Sequence, residues 1–345
     1  MMKKTARILA WSLAGLAILL GLAITFTIGW RPFVGPRARP LTGQRIAATP
    51  ERLARGTYLV KHVAPCMECH SPHRWTEHDA PIEPNLLGAG QEIAMKGLPG
   101  RIVAPNLSSD PETGAGTWTD DQLVRAIREG IGHDGRTLFP IMPYQHFRHM
   151  SDEDLASIIV YLRSLTPVRN PLPKSNVPFP VKYLINGLPE PVERPVTADL
   201  STPEKRGEYD VEVLGVCGDC HTTADAQGNQ VPNMGFAGGT ALPFGDRKVV
   251  YSANITPSVN GIPYYTEALF IETIRTGKVR SRQLDDMMPT AYFRNMTDQD
   301  LKDIFAYLKT LKPVDHYVDN SLPPTKCPRC GLVHGGGEKN HKGDS

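Results

Sequence analysis

Apolar residues follow three patterns along this chain. From Ile8 to Trp30 no charged side chain appears for 23 residues. A helix that crosses a bilayer needs about 20 such residues, so the run predicts a membrane span. Trp11 and Trp30 near its ends suit the interfacial belt. After Thr119, apolar residues recur at Leu123, Ala126, Ile127 and Ile131, the spacing of one helix face. Leu155, Ile158, Ile159 and Leu162 repeat that stripe, as do Leu301, Ile304, Phe305 and Leu308. Thr119 and Ser151 are expected N-caps, and Asp154 stands where a capping-box acid would. Between the last two stripes the pattern lapses: Pro167 to Pro195 holds eight prolines in 29 residues. That density argues for an extended, semi-rigid connector. A second connector runs from Arg31 to Pro50.

The helical stripes belong to a repeat. Arg55-Gly56-Thr57-Tyr58 matches Arg206-Gly207-Glu208-Tyr209, and Ala104-Pro105-Asn106-Leu107 matches Ser252-Ala253-Asn254-Ile255. Met142-Pro143 is answered by Met288-Pro289. Met150-Ser151-Asp152-Glu153-Asp154-Leu155 is answered by Met296-Thr297-Asp298-Gln299-Asp300-Leu301. The landmarks keep their order, which indicates duplication of a mainly helical unit of about 110 residues, the size of a small domain. In the first unit Glu51 to His62 reads as a helix; in the second, Thr266 to Thr276 and Thr297 to Leu311 do.

Six cysteines occur as three C-x-x-C pairs. In two of them a histidine follows at once: Cys66-Met67-Glu68-Cys69-His70 and Cys217-Gly218-Asp219-Cys220-His221. C-x-x-C-H is the attachment signature of c-type haem, in which the thiols bond the porphyrin and the histidine binds iron. A zinc site would want two further ligands at set spacing, and a redox dithiol needs no such histidine. Two covalent haem c groups are therefore expected, on Cys66, Cys69, Cys217 and Cys220, with His70 and His221 as proximal iron ligands. A second axial ligand is expected from Met142 and, by register of the Met-Pro pair, from Met288 rather than Met287. Met150 and Met296 read as core fillers. His62, His73, His78, His133, His146 and His149 occur in the first unit alone; His146 and His149 are near enough to Met142 to compete with it. Asn106 and Asn254 suit either a haem propionate or a turn. Arg55 and Arg206 could reach propionates as well, but a solvated helix face is the simpler role.

The third pair, Cys327-Pro328-Arg329-Cys330, lacks the histidine and adds no haem. A local disulfide is the favoured reading in an oxidising compartment. Half of a zinc site, completed by His334 and His341, is the next, although C-x2-C-x3-H-x6-H is unlike the common zinc spacings. A tail that docks on a partner is the third.

With these motifs in place, each unit resembles the class I cytochrome c family, and more narrowly the modules of cytochrome subunits attached to bacterial alcohol and aldehyde dehydrogenases. The resemblance covers roughly residues 51–166 and 201–312, including Tyr161-Leu162 and Tyr307-Leu308 in the terminal helices. It implies two tandem class I cytochrome c domains after one transmembrane helix. In each small bundle, N- and C-terminal helices would cross near the haem at Gly56 and Gly207. The expected organisation is an anchor at 1–31, a linker at 32–50, a first domain at 51–170, a Pro-rich linker at 171–200, a second domain at 201–313 and a tail at 314–345. The family's relatives commonly have three haem modules where this chain has two.

The expected role is electron transfer between redox partners: a dehydrogenase, an oxidase, a reaction centre or a soluble cytochrome. A dihaem peroxidase is the enzymatic alternative, disfavoured by two candidate methionine ligands. A haem-based sensor or assembly factor finds no supporting segment. An uncleaved anchor is favoured over a signal peptide, since no A-x-A site follows the apolar run. Lys3, Lys4 and Arg7 on one side and Arg31, Arg37, Arg39 and Arg45 on the other leave charge indecisive about orientation. Haem attachment places the bulk of the chain in the periplasm, against the inner membrane. Formal net charge is +2, too small to argue for nucleic acid. Thirty-one glycines and 31 prolines mean that loops make up much of each unit.

Overall fold

The computed structural model describes residues 2–245 and 247–341; the side chains of Met2, Lys3 and His341 lie outside the described residues. Helix α1 (Met2–Phe26) contains a stretch, Lys4–Phe26, long and apolar enough to cross a membrane, and no part of that stretch is buried by the rest of the chain. It stops four residues before Trp30, whose indole donates back to Thr25 at 3.1 Å. A short helix α2 (Arg31–Val34) follows.

The first unit runs through α3 (Pro50–Tyr58), α4 (Cys66–His70), α5 (Asp120–Glu129), α6 (Tyr144–Phe147) and α7 (Asp152–Arg163). After α8 (Val181–Leu184) the second repeats it with α9 (Pro203–Glu208), α10 (Cys217–His221), α11 (Glu267–Thr276), α12 (Thr290–Phe293) and α13 (Asp298–Thr310). Among the described residues, four antiparallel pairs of two-residue or three-residue strands accompany the helices: β1 (Gln91–Glu92) with β2 (Val103–Ala104), β3 (Ala241–Leu242) with β4 (Val250–Tyr251), β5 (Lys278–Val279) with β6 (Arg282–Gln283), and β7 (Pro324–Lys326) with β8 (Val333–Gly335).

The caps fall where the sequence puts them. Thr119 accepts from Gln122 N, and Gln122 returns to Thr119 N, a full capping box. Ser151 accepts from Asp154 N at 3.1 Å, but the Asp154 carboxylate does not return to the cap. Arg55 and Tyr209 claim it instead. All three apolar stripes face one shared core, in which Leu59, Val60, Leu123, Ile159, Leu214 and Leu301 are fully enclosed. Met150 and Met296 are buried in it, as expected of core fillers.

Two features were invisible in the hydrophobic pattern. Helices α3 and α9 each widen into a π-helical turn, Leu59–Val63 and Tyr209–Leu214, just before the cysteine motifs. The Pro-rich connector is also no free spacer. Asn176 pairs with Arg101 through both backbone groups (2.8 and 3.1 Å), Ser175 bonds Val103, and Asn170 donates to the Ala89 and Gly90 carbonyls. It straps the first unit. The other connector is held likewise, with Arg39 between Asp121 and Glu129 and the Thr42 amide on Asp121.

In each unit the first helix crosses the last at glycine. A Cβ on Gly56 would collide with the Ser157 carbonyl, and one on Gly207 with that of Asp303. Only a hydrogen at these positions permits such backbone approach. Arg55 binds Asp154 and Arg206 binds Asp303 beside the crossings, so both guanidiniums are engaged in ion pairs and not simply solvated.

The units meet through a reciprocal exchange of tyrosines. Tyr209 donates to Asp154 and accepts from Ser151 N, both at 2.9 Å. Its counterpart Tyr58 donates to Asp300 and accepts from Thr297 N at 2.9 Å. Each unit thus finishes the N-terminus of the other's last helix. Lys96 N to Pro243 O and Gly245 N to Ala94 O join two further loops, one from each unit.

Candidate functional site

Helices α4 and α10 are single turns that place two thiols and an imidazole on one surface each. His70 is buried and its Nδ1 lies 2.8 Å from the Pro105 carbonyl. His221 repeats this with the Ala253 carbonyl at 2.8 Å. A carbonyl can only accept, so Nδ1 holds the proton and Nε2 presents its lone pair, the arrangement of a metal-binding imidazole. Burial lowers the pKa of both rings, which keeps them neutral. Burial also pushes the Cys66 and Cys217 thiols up to about 12, while Cys69 and Cys220 are exposed. A Cβ on Gly215 would lie 3.7 Å from the Val63 carbonyl, so the segments that lead into the two motifs pack against each other across the interface.

The carbonyls that orient the histidines sit just before Asn106 and Asn254. Those amides hold turns: the side-chain oxygens accept from Ser108 N and Thr256 N, both at 2.9 Å. Their NH2 groups reach the chain leaving the last helix. Asn106 donates to Val168 O at 2.7 Å, and Asn254 to Val314 O and His316 O at 2.8 and 3.0 Å. The turn role therefore stands over the propionate role. Backbone carbonyls carry no sequence signature, so nothing in the sequence marks Pro105 and Ala253 as the residues that orient the histidines.

Met142 and Met288 occupy equivalent places. Each is half-buried against the core and precedes a proline that starts a short helix, α6 or α12. The competing histidines are placed otherwise. His146 is committed across the interface, Nδ1 to Glu212 O at 2.8 Å and Nε2 to Asp219 at 2.9 Å, and the carboxylate raises its pKa. His149 is exposed. His133 stacks on Trp118, and His73 bonds the Ala80 carbonyl. Tyr292, the counterpart of His146, donates to the carbonyls of Val60 in the first unit's π-turn and Ala64 at its end.

Among the described residues, the Cys and His atoms of the two C-x-x-C-H motifs do not converge as a metal cage does. They are spread, as attachment to a porphyrin's edge and to its iron requires. The third pair behaves oppositely. Cys327 and Cys330 are free thiols, and they converge with His316 and His334. The favoured disulfide is thus not formed. The histidine partners are His316 and His334, whereas the sequence suggested His334 and His341; the His341 side chain lies outside the described residues.

Comparison with known proteins finds cytochromes among the similar chains. No protein-family model matches the chain. A "Diheme cytochrome c-type" protein of Cereibacter sphaeroides is 29% identical over 263 residues, 72% of this chain and 83% of that protein. The chain is similar to c-type cytochromes over most of its length. The chain's two C-x-x-C-H motifs, at Cys66–His70 and Cys217–His221, match in number the two haems of that relative's description. The chain is also 30% identical to the cytochrome c subunit of a quinone alcohol dehydrogenase of Gluconobacter oxydans, over 76% of this chain and 55% of that protein's length. One component of the nicotinate dehydrogenase of Pseudomonas putida is 31% identical over 66% of the chain, which spans only 18% of that relative's length.

Proposed function

We propose that this cytochrome is a membrane-anchored electron carrier that serves as the dihaem subunit of a dehydrogenase complex. The observation that carries the reading is the paired geometry of His70 and His221, each with Nδ1 fixed to a carbonyl, on motifs whose leading segments pack across one interface. In this reading Cys66 and Cys69 hold the first haem with His70 and Met142 as iron ligands. Cys217 and Cys220 hold the second with His221 and Met288. Haem supplies the one-electron redox chemistry when bound. The chain positions the groups, buries His70 and half-buries His221, and its interface joins the two units that hold them. Cytochrome subunits of an alcohol dehydrogenase and a fructose dehydrogenase align with 76% and 80% of this chain, which supports a dehydrogenase donor. Helix α1 would fix the two domains at the outer face of the inner membrane, able to pass electrons to a membrane oxidase, a reaction centre or a soluble cytochrome.

The test is potentiometric. Native membranes should yield the cytochrome together with a dehydrogenase, carrying two haems per chain that the dehydrogenase's substrate reduces. Met142→Ala and Met288→Ala should each lower one reduction potential and leave the other in place. A chain whose haems stay oxidised with every co-purified donor, or whose potentials ignore both substitutions, would overturn the reading.

A further inference from the structure

The geometry points to a structural zinc site formed by His316, Cys327, Cys330 and His334, which clamps the C-terminal tail onto the loop behind His221. The inference stands independently of the electron-transfer reading.

The four ligand atoms lie within 4.8 Å of one another, and all four residues are buried, from 0% exposure at His334 to 8% at Cys330. The imidazoles decide what belongs between them. His316 Nδ1 is 2.8 Å from the Ala237 carbonyl, and His334 Nδ1 is 3.0 Å from the Gly335 carbonyl. Each ring therefore keeps its proton on Nδ1 and turns the lone pair of Nε2 inward. The two Nε2 atoms face each other at 2.9 Å with the rings nearly perpendicular, 82° apart. Two lone pairs at that distance repel unless a cation takes both.

The thiols complete the donor set. Cys327 and Cys330 bracket a tight turn in which Gly331 N bonds the Cys327 carbonyl at 2.9 Å and Gly331 adopts φ +75°. Hairpin β7–β8 flanks the turn and carries His334 to its edge. Two thiolates and two imidazoles in a closed, buried cage suit tetrahedral zinc, whose bonds of about 2.0–2.3 Å set ligand atoms about 3.3–3.8 Å apart. No position is left for water or substrate, which marks the site as structural.

Its place explains a glycine. A Cβ on Gly239 would lie 2.7 Å from His316 and 3.3 Å from His334. The neighbouring Gly238 amide bonds the His221 carbonyl at 2.7 Å. The clamp thus bears on the backbone that carries the second proximal histidine.

The test uses the holoprotein with both haems, purified in metal-free buffer. Elemental analysis should find one zinc beside two irons, and X-ray absorption at the zinc edge should show two sulfur and two nitrogen neighbours. Cys327→Ser and His316→Ala should lower zinc content at least tenfold with the haem spectrum retained. His316→Cys, which keeps a ligand, should retain zinc, and His341→Ala should leave it unchanged. If either zinc-losing variant fails to accumulate, chelation of the native protein followed by thermal melting gives the same answer, because the tail should loosen and the melting point fall. Protein with haem but without zinc, its Cys327 and Cys330 either joined in a disulfide or free, would overturn the proposal. So would zinc bound through oxygen ligands.

Discussion

The two units share the geometry around their proximal histidines and differ in what holds it shut. Behind His70 the loop is closed by the Pro-rich connector: Val168 accepts from Asn106, Asn170 donates to Ala89 and Gly90, and a Cβ on Gly90 would meet Leu172. Behind His221 the same place is taken by the tail. Val314 and His316 accept from Asn254, and a Cβ on Gly239 would meet His316. The first closure is made of hydrogen bonds and an aliphatic lid; the second adds a two-cysteine, two-histidine cluster. The demand for a cover is set by the histidine and its carbonyl, while the chemistry of the cover is free to diverge. The first cover is a connector, tied down at both ends by the units it joins. The second is the tail, and it brings a staple of its own.

That contrast can be broken or sharpened by substitution. The helix crossings are the strictly shared part, so Gly56→Val and Gly207→Val should be equally harmful, each by at least about 3 kcal/mol, because the obstructing atoms are backbone and cannot step aside. Denaturant midpoints and holoprotein yield measure this; tolerance at one crossing alone would show that the units are not equivalent there.

The next effect concerns a divergent position. Asp210 occupies the place of the enclosed Leu59, and burial together with Asp300 raises its pKa to about 8 against relief from Arg55. The unfolded carboxyl titrates near 3.9. Between these values the folded chain keeps a proton that the unfolded chain has released, so stability falls as pH rises from about 4 to about 8 and is level above. Asp210→Asn should remove that slope and raise stability at pH 8 by about 3 kcal/mol. Paired melts at pH 5 and pH 8 check it, and an unchanged slope would place the titration elsewhere.

The smallest effect tests the covers directly. Asn106→Ala leaves the strap without its amide staple and should cost about 2 kcal/mol. Asn254→Ala should cost about half as much while the clamp is loaded, and the gap should close once a chelator has removed the metal. Equal costs before chelation would mean that the cluster contributes nothing to closure.

The repeat, the capped stripes, the crossing glycines and the haem motifs were legible because each is a local spacing or a residue type with one strong use. The π-turns at Leu59–Val63 and Tyr209–Leu214 were not, since widening a helix by one residue per turn leaves no distinct apolar period in five or six residues. The partners of Tyr58 and Tyr209 lie 242 and 55 residues away, and nothing near either tyrosine announces them. His316 lies 11 residues before Cys327 and His341 lies 11 residues after Cys330, so separation along the chain cannot choose between them. Folding brings His316 in through its bond to Ala237, which belongs to a loop the tail must first reach.

The tyrosine exchange has a consequence for how the molecule is assembled. Tyr209 completes the start of α7, so the first unit reaches its finished form only after the chain has been delivered past α9 into the compartment where it folds. Closing the interface would then act as a latch that is thrown once both halves have arrived.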